Sequence, residues 1–288
     1  MYKNASELLT LCAENHKRTW EIALESESIL TAMDKDTLLS HFESRYQIME
    51  TSSKKALTEK KSTKGGLIDG VASCQYDYSK TDTICGSSMN YIMALAYSCS
   101  ELNASMGKIC ACPTAGSCGI LPAVLVGLSE SKNICRETTI EALITASAVG
   151  AIYTKNATVA GADGGCQAEC GVAASMAAAA ATYMMGGSDE LCFHAAGFAM
   201  INIMGLVCDP VAGLVQIPCA QRNASGAINA LLSADMALAG QAAHIPFDQI
   251  VDAMYKVGKM LPPPLRETGK GGIAATPAGN EIYQKIFN

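Results

Sequence analysis

The run GVAASMAAAAATYMMGG, residues 171–187, admits little except a buried helix. Alanine favours the helix more than any other residue, and an alanine surface lets neighbouring helices approach closely. It is too short and too weakly apolar for a membrane span, which needs roughly 20 apolar residues. A second apolar run, HAAGFAMINIMGLVC at 194–208, is also short and carries His194 and Asn202. Both runs are expected to be core helices.

The rest of the chain beyond residue 64 follows the same pattern. Charges are sparse, Ala, Gly, Met and Cys dominate, and no stretch alternates with period two. Helices are expected near 87–105, 118–130, 136–156, 168–185, 188–205, 222–241 and 246–259, with PPPL at 262–265 stopping the last. Asn223 or Ser225 is expected to start the 222–241 helix and Ser117 to cap the 118–130 helix. Residues 1–60 are the charged part. They are expected to form an N-terminal helical segment with one helix from a cap at Asn4 or Ser6 through Trp20 and Ile22, and another over DKDTLLSHFESRYQIMETSSKKAL. Residues 61–288 then form one continuous helical domain. The fold class is all-α, a compact multi-helix bundle whose Gly-rich loops converge on one site.

The net charge of −6 and the lack of long basic runs exclude nucleic acid as the main partner. No charged start followed by an apolar stretch marks a secretory signal, so a cytoplasmic location is expected. Neither GADGG nor KGGLIDG matches a phosphate loop or dinucleotide fingerprint. Lys64 is the one lysine placed for a pyridoxal Schiff base, and nothing else supports that cofactor.

Thirteen cysteines remain to be explained. Without a secretory signal they do not read as a disulfide framework. Cys12, Cys74, Cys99, Cys135 and Cys192 are isolated and read as inert core thiols. Zinc is disfavoured: there is no Cys-x-x-Cys knuckle, no His-Glu-x-x-His, and only four histidines. An iron–sulfur cluster asks for thiolates and little histidine. Cys166 in GADGGCQAECG, with Cys208 and Cys219 in CDPVAGLVQIPC, could meet from two loops. Three thiolates on four irons leave one iron open as a Lewis acid, whereas Cys170 as a fourth ligand closes the cluster. Spacing leaves both arrangements open, and Cys110, Cys112 and Cys118 are rival ligands. Thr114, Gly116 and Ser117 form a small polar turn suited to a carboxylate, and Ser105 and Asn223 are further polar candidates. His194 reads as a satisfied core histidine and His244 as a helix-end residue. No general base is identified.

Four segments, SMGKICACPTAGSCGILPAVL, AGADGGCQAECGVAASMAAAA, CDPVAGLVQIPCAQRNASGAINA and LRETGKGGIAATPAG, occur in this order. Together they resemble the α chain of the iron–sulfur L-serine dehydratases. The resemblance implies an all-helical catalytic part and an oxygen-sensitive [4Fe–4S] cluster held by Cys166, Cys208 and Cys219. Cys170 then lies outside the ligand set. It also implies conversion of L-serine to pyruvate and ammonia; Thr114, Gly116 and Ser117, with Ser105 and Asn223, are then the residues expected around the substrate. The α/β domain that precedes the helical one in single-chain members is expected on a separate β chain. Some single-chain relatives end in a cysteine that reaches the active site; this chain ends YQKIFN, so that tail ligand is expected to be absent. Rival functions are a cysteine desulfidase using the same cysteines, a redox or iron-sensing module with a closed cluster, and a metal-free helical binding subunit.

Overall fold

The computed structural model describes residues 1–288. It has thirteen α-helices and no strand, in agreement with the all-α expectation. In chain order they are α1 (Ala5–Asn15), α2 (Thr19–Thr31), α3 (Lys35–Thr58), α4 (Val71–Tyr78), α5 (Gly86–Ala104), α6 (Ile120–Ser131), α7 (Arg136–Asn156), α8 (Gly161–Gly164), α9 (Val172–Met184), α10 (Asp189–Ile201), α11 (Cys219–Leu238), α12 (Phe247–Met260) and α13 (Pro277–Phe287).

The alanine-rich run is the centre of the bundle. Every residue of α9 is buried, and α6, α7, α10 and α11 pack around it. Small side chains set how near these helices come. A Cβ on Gly226 of α11 would fall 2.6 Å from Ile120 Cδ1 of α6, so a larger residue here would force the Ile120 side chain to move. No helix is long and apolar enough to cross a membrane.

The N-terminal helices join the same core: α2 packs on α7, and α3 on α5 and α6. The first expected helix is in fact two. His16 adopts the left-handed conformation at the end of α1, and α2 restarts at Thr19. Asn4 caps α1, accepting the Glu7 N–H at 2.8 Å. Three short helices, α4, α8 and α13, fall outside the expected spans, and PPPL ends α12 without ending the helical part of the chain.

Three other expectations need correction. Cys12, Cys99 and Cys192 are buried, but Cys74 and Cys135 are exposed. His194 is not a satisfied core histidine: its Nδ1 is buried without a partner, and Nε2 stands 3.9 Å from Glu190. His244 lies in the loop between α11 and α12 and is exposed.

Candidate functional site

The loop carrying Cys166 is fixed before the cysteine is placed. Gly165, at φ 77°, turns the chain out of α8; a Cβ there would fall 2.8 Å from the Leu206 carbonyl oxygen. Gln167 then staples the loop on three sides. Its amide donates to the carbonyls of Gly164 and Met254, both at 2.9 Å, and its side-chain oxygen accepts the Gly205 N–H at 2.8 Å. Residues Gln167–Gly171 wind as one π-helical turn leading into α9. Such wide turns recur at functional sites, because they change which side chains share a face. Here Cys166, Glu169 and Cys170 are brought to one side.

The second loop is held by the segment after α12. The Cys208 N–H donates to the Leu265 carbonyl at 2.9 Å, and its carbonyl accepts the Glu267 N–H at 2.7 Å. Arg222 of α11 spans both loops. It donates to the Val207 carbonyl at 2.7 Å and to Asp209 Oδ1 at 2.8 Å, and it hydrogen-bonds to the Cys166 sulfur. Pro218 directly precedes Cys219, the first residue of α11.

The sulfurs therefore converge. Cys166 and Cys208 are 3% and 4% exposed, so a group held there is shielded from water. The neighbouring Cys170 and Cys208 side chains and the Arg222 guanidinium hold the Cys166 pKa well below the usual thiol value despite burial. The same interaction pushes Cys170 and Cys208 up, with burial adding to it. Cys219 stands farther from Cys166, close enough to feel its charge, and burial pushes it up to about 12.

The chemistry of this donor set suits an iron–sulfur cluster: it is thiol-rich and buried, has no histidine, and carries an arginine to offset negative charge. Cys110, Cys112 and Cys118 do not join it. Each donates to a backbone carbonyl, namely those of Ala111, Cys110 and Cys99 in turn, and burial raises all three thiol pKa values.

The polar turn sits beside the cysteines. Thr114 begins a 3₁₀ turn, Ala115–Ser117, in which Thr114 and Ser117 form a reciprocal capping box. The cap of this turn is thus Thr114; Ser117 is its buried third residue, not the cap of α6, which starts at Ile120. The N–H groups of Ala115 and Gly116 donate to no protein acceptor. Asn223 is not a helix start either. It lies one turn inside α11 and ties the 3₁₀ turn to the cysteine loop, donating to Gly116 and Cys219 carbonyls at 2.7 and 2.8 Å. Thr114, Gly116, Ser117 and Asn223 are therefore brought together. Ser105 is not: its hydroxyl donates to the Leu102 carbonyl at 3.0 Å, closing the end of α5.

One residue that the sequence did not single out joins the two halves. Glu169 accepts the Thr114 hydroxyl at 2.8 Å through Oε1, and its Oε2 lies 3.8 Å from Cys208 Sγ. Burial pushes its pKa up to about 7; the Thr114 hydrogen bond opposes the rise, and Cys166 and Glu267 reinforce it. The available signal was an acid between two cysteines in a glycine-rich loop.

The family described as "Serine dehydratase alpha chain" matches residues 13–274. The L-serine dehydratase alpha chain of Peptoniphilus asaccharolyticus is 46% identical over 288 residues, covering 100% of this chain and 99% of that protein. A probable L-serine dehydratase alpha chain of Bacillus subtilis (strain 168) is 42% identical over 288 residues, covering 96% of its length. L-serine dehydratase 1 of Escherichia coli (strain K12) is 34% identical over 285 residues, which span 95% of this chain but 61% of that protein.

Proposed function

The chain belongs to the serine dehydratase alpha chain family, and from that premise we propose that it is the catalytic chain of an iron–sulfur L-serine ammonia-lyase. The carrying observation is the junction of two loops at which Cys166, Cys208 and Arg222 meet and Glu169 links them to the Thr114–Ser117 turn. Cys166, Cys208 and Cys219 would hold a [4Fe–4S] cluster. When bound, the cluster supplies a Lewis acid for the oxygen that leaves.

The chain's own residues account for binding and shielding. The free N–H groups of Ala115 and Gly116 suit a substrate carboxylate, and Asn223 fixes their direction. Loss of the α-hydrogen and the β-hydroxyl from L-serine gives aminoacrylate and water. Aminoacrylate tautomerises to the imine, which hydrolyses to pyruvate and ammonia. None of the four histidines hydrogen-bonds to the cysteines or to the turn. The Peptoniphilus and Bacillus relatives are named as alpha chains, which supports a second chain here.

The test is anaerobic co-production with a β chain, followed by assay of pyruvate from L-serine and of iron and sulfide content. Brown protein that turns over L-serine and bleaches in air supports the reading. Sulfide release from L-cysteine at a rate well above pyruvate release from L-serine would favour the desulfidase instead. A coloured protein that turns over neither amino acid would favour a redox or sensing module.

A further inference from the structure

We infer that Glu169 is the anchor for the α-ammonium group of the substrate, and so selects amino acids over hydroxy acids. The inference rests on the serine-dehydration reading above. Glu169 is an acid with no basic side chain in ion-pair range. Its neighbours carry the same sign or none: Cys166, Glu267 and the thiol of Cys208. Arg222, which spans the two loops, is committed to Asp209 and the Val207 carbonyl. A part-buried carboxylate among anionic neighbours is costly unless a cation joins it. No basic side chain of the chain forms an ion pair with Glu169, and an ammonium group of the substrate would.

The position suits that role. Oε1 touches the Thr114 hydroxyl of the turn, and Oε2 faces Cys208, so the carboxyl stands between the place for the substrate carboxylate and the cysteine loop. Two glycines keep the space around it clear. A Cβ on Gly161 would fall 2.5 Å from Oε2, and one on Gly116 would fall 3.2 Å from Oε1. Alanine at either position would push the carboxyl aside. The other groups facing Glu169, the Thr114 hydroxyl and the Cys208 thiol, are donors that hold it in place and cannot replace a charge.

The test compares Glu169→Gln with the unaltered chain, each as anaerobic holoenzyme with its β chain. L-Alanine and L-lactate are the probes: they differ only in the amine, and neither carries a β-hydroxyl. Binding is followed by calorimetry, alongside KM for L-serine and the iron and sulfide content. The unaltered enzyme is expected to bind L-alanine more tightly than L-lactate. In Glu169→Gln, L-alanine binding and KM should each worsen by about 10- to 100-fold, the range of a lost charged hydrogen bond. L-Lactate binding and cluster content should be unchanged. Glu169→Asp, which keeps the charge, should recover part of the preference for the amine. Equal loss for both probes would overturn the assignment, as would L-alanine binding unaltered in Glu169→Gln. Loss of iron in that variant would place the residue in cluster holding and overturn it as well. If the unaltered holoenzyme fails to turn over L-serine, the dehydratase reading itself falls, which is a separate outcome.

Discussion

The side-chain oxygen of Asn223 accepts the backbone N–H of Gly119 at 2.8 Å. The bond holds the start of α6 against α11 and leaves the Asn223 amide free to grip Gly116. Gly119 cannot be replaced without displacing this contact: a Cβ there would fall 2.5 Å from the Ala96 carbonyl oxygen and 3.0 Å from Asn223 Oδ1. Asn223→Ala removes an acceptor and two donors at once and strands the buried Gly119 N–H. It should cost about 2–3 kcal/mol in a denaturant titration and lower kcat/KM for L-serine at unchanged iron content. Asn223→Asp keeps the acceptor for Gly119 and should fall between the two.

The Arg222–Asp209 pair is the other tie between α11 and the cysteine loop. Its side chains are 16% and 3% exposed, so removing one partner leaves the other desolvated and unpaired. Asp209 also accepts the Ile273 N–H at 2.9 Å, which pins the segment before α13. Arg222→Leu should destabilise by about 3–5 kcal/mol. The Cys166 thiolate should also become less populated, because a cation that favours it is gone. Denaturation midpoints and the ultraviolet thiolate absorbance of the cluster-free chain would read the two effects separately.

How far the sequence could be read depends on where each helix finds its cap. The span 136–156 was read with both ends correct, since α7 has a long apolar pattern. The break between α1 and α2 was hidden because the cap of α2 is remote. Asp189, on α10, accepts the Thr19 N–H and the Arg18 Nε–H, both at 2.9 Å. Helix α4 was missed for the same reason: its first N–H groups, at Gly70 and Ala72, go to Glu101 on α5. Capping rules read local residues, so carboxylates from elsewhere in the chain leave no local signal. The site divides in the same way. Cysteine spacing and the PTAGS turn were visible, whereas Glu169 and Arg222 gain meaning only when two loops meet.

Cys135 offers a prediction that the sequence had reversed. It is exposed at the start of α7, and hydrogen bonds from the Thr138 side chain and backbone lower its thiol pKa. More of it is thiolate at neutral pH than of an ordinary exposed cysteine. Iodoacetamide at pH 7 should therefore alkylate Cys135 faster than Cys74 or Cys85, as read by peptide mass mapping over time. Thr138→Val should remove the advantage. Equal labelling of all three would show that the hydrogen bond is not maintained in solution.

The cysteines of the candidate centre are not equivalent, and iron content can rank them. Cys170, Cys208 and Arg222 together lower the Cys166 pKa, so it is the thiol most prepared to ligate. Cys208 comes from a separate loop and Cys219 from the start of α11. Cys170 sits behind Cys166 at the entry to α9 and is 2% exposed. Alanine at Cys166, Cys208 or Cys219 should each abolish the visible absorption band and most of the iron and sulfide after anaerobic reconstitution. Cys170→Ala should retain both, at a packing cost of about 1 kcal/mol for the small void. An open iron requires this asymmetry, because a fourth thiolate would occupy the position where substrate binds. A Cys170→Ala chain that loses its iron as fully as Cys166→Ala would mean a closed cluster, and the elimination chemistry would have to be given up for this chain.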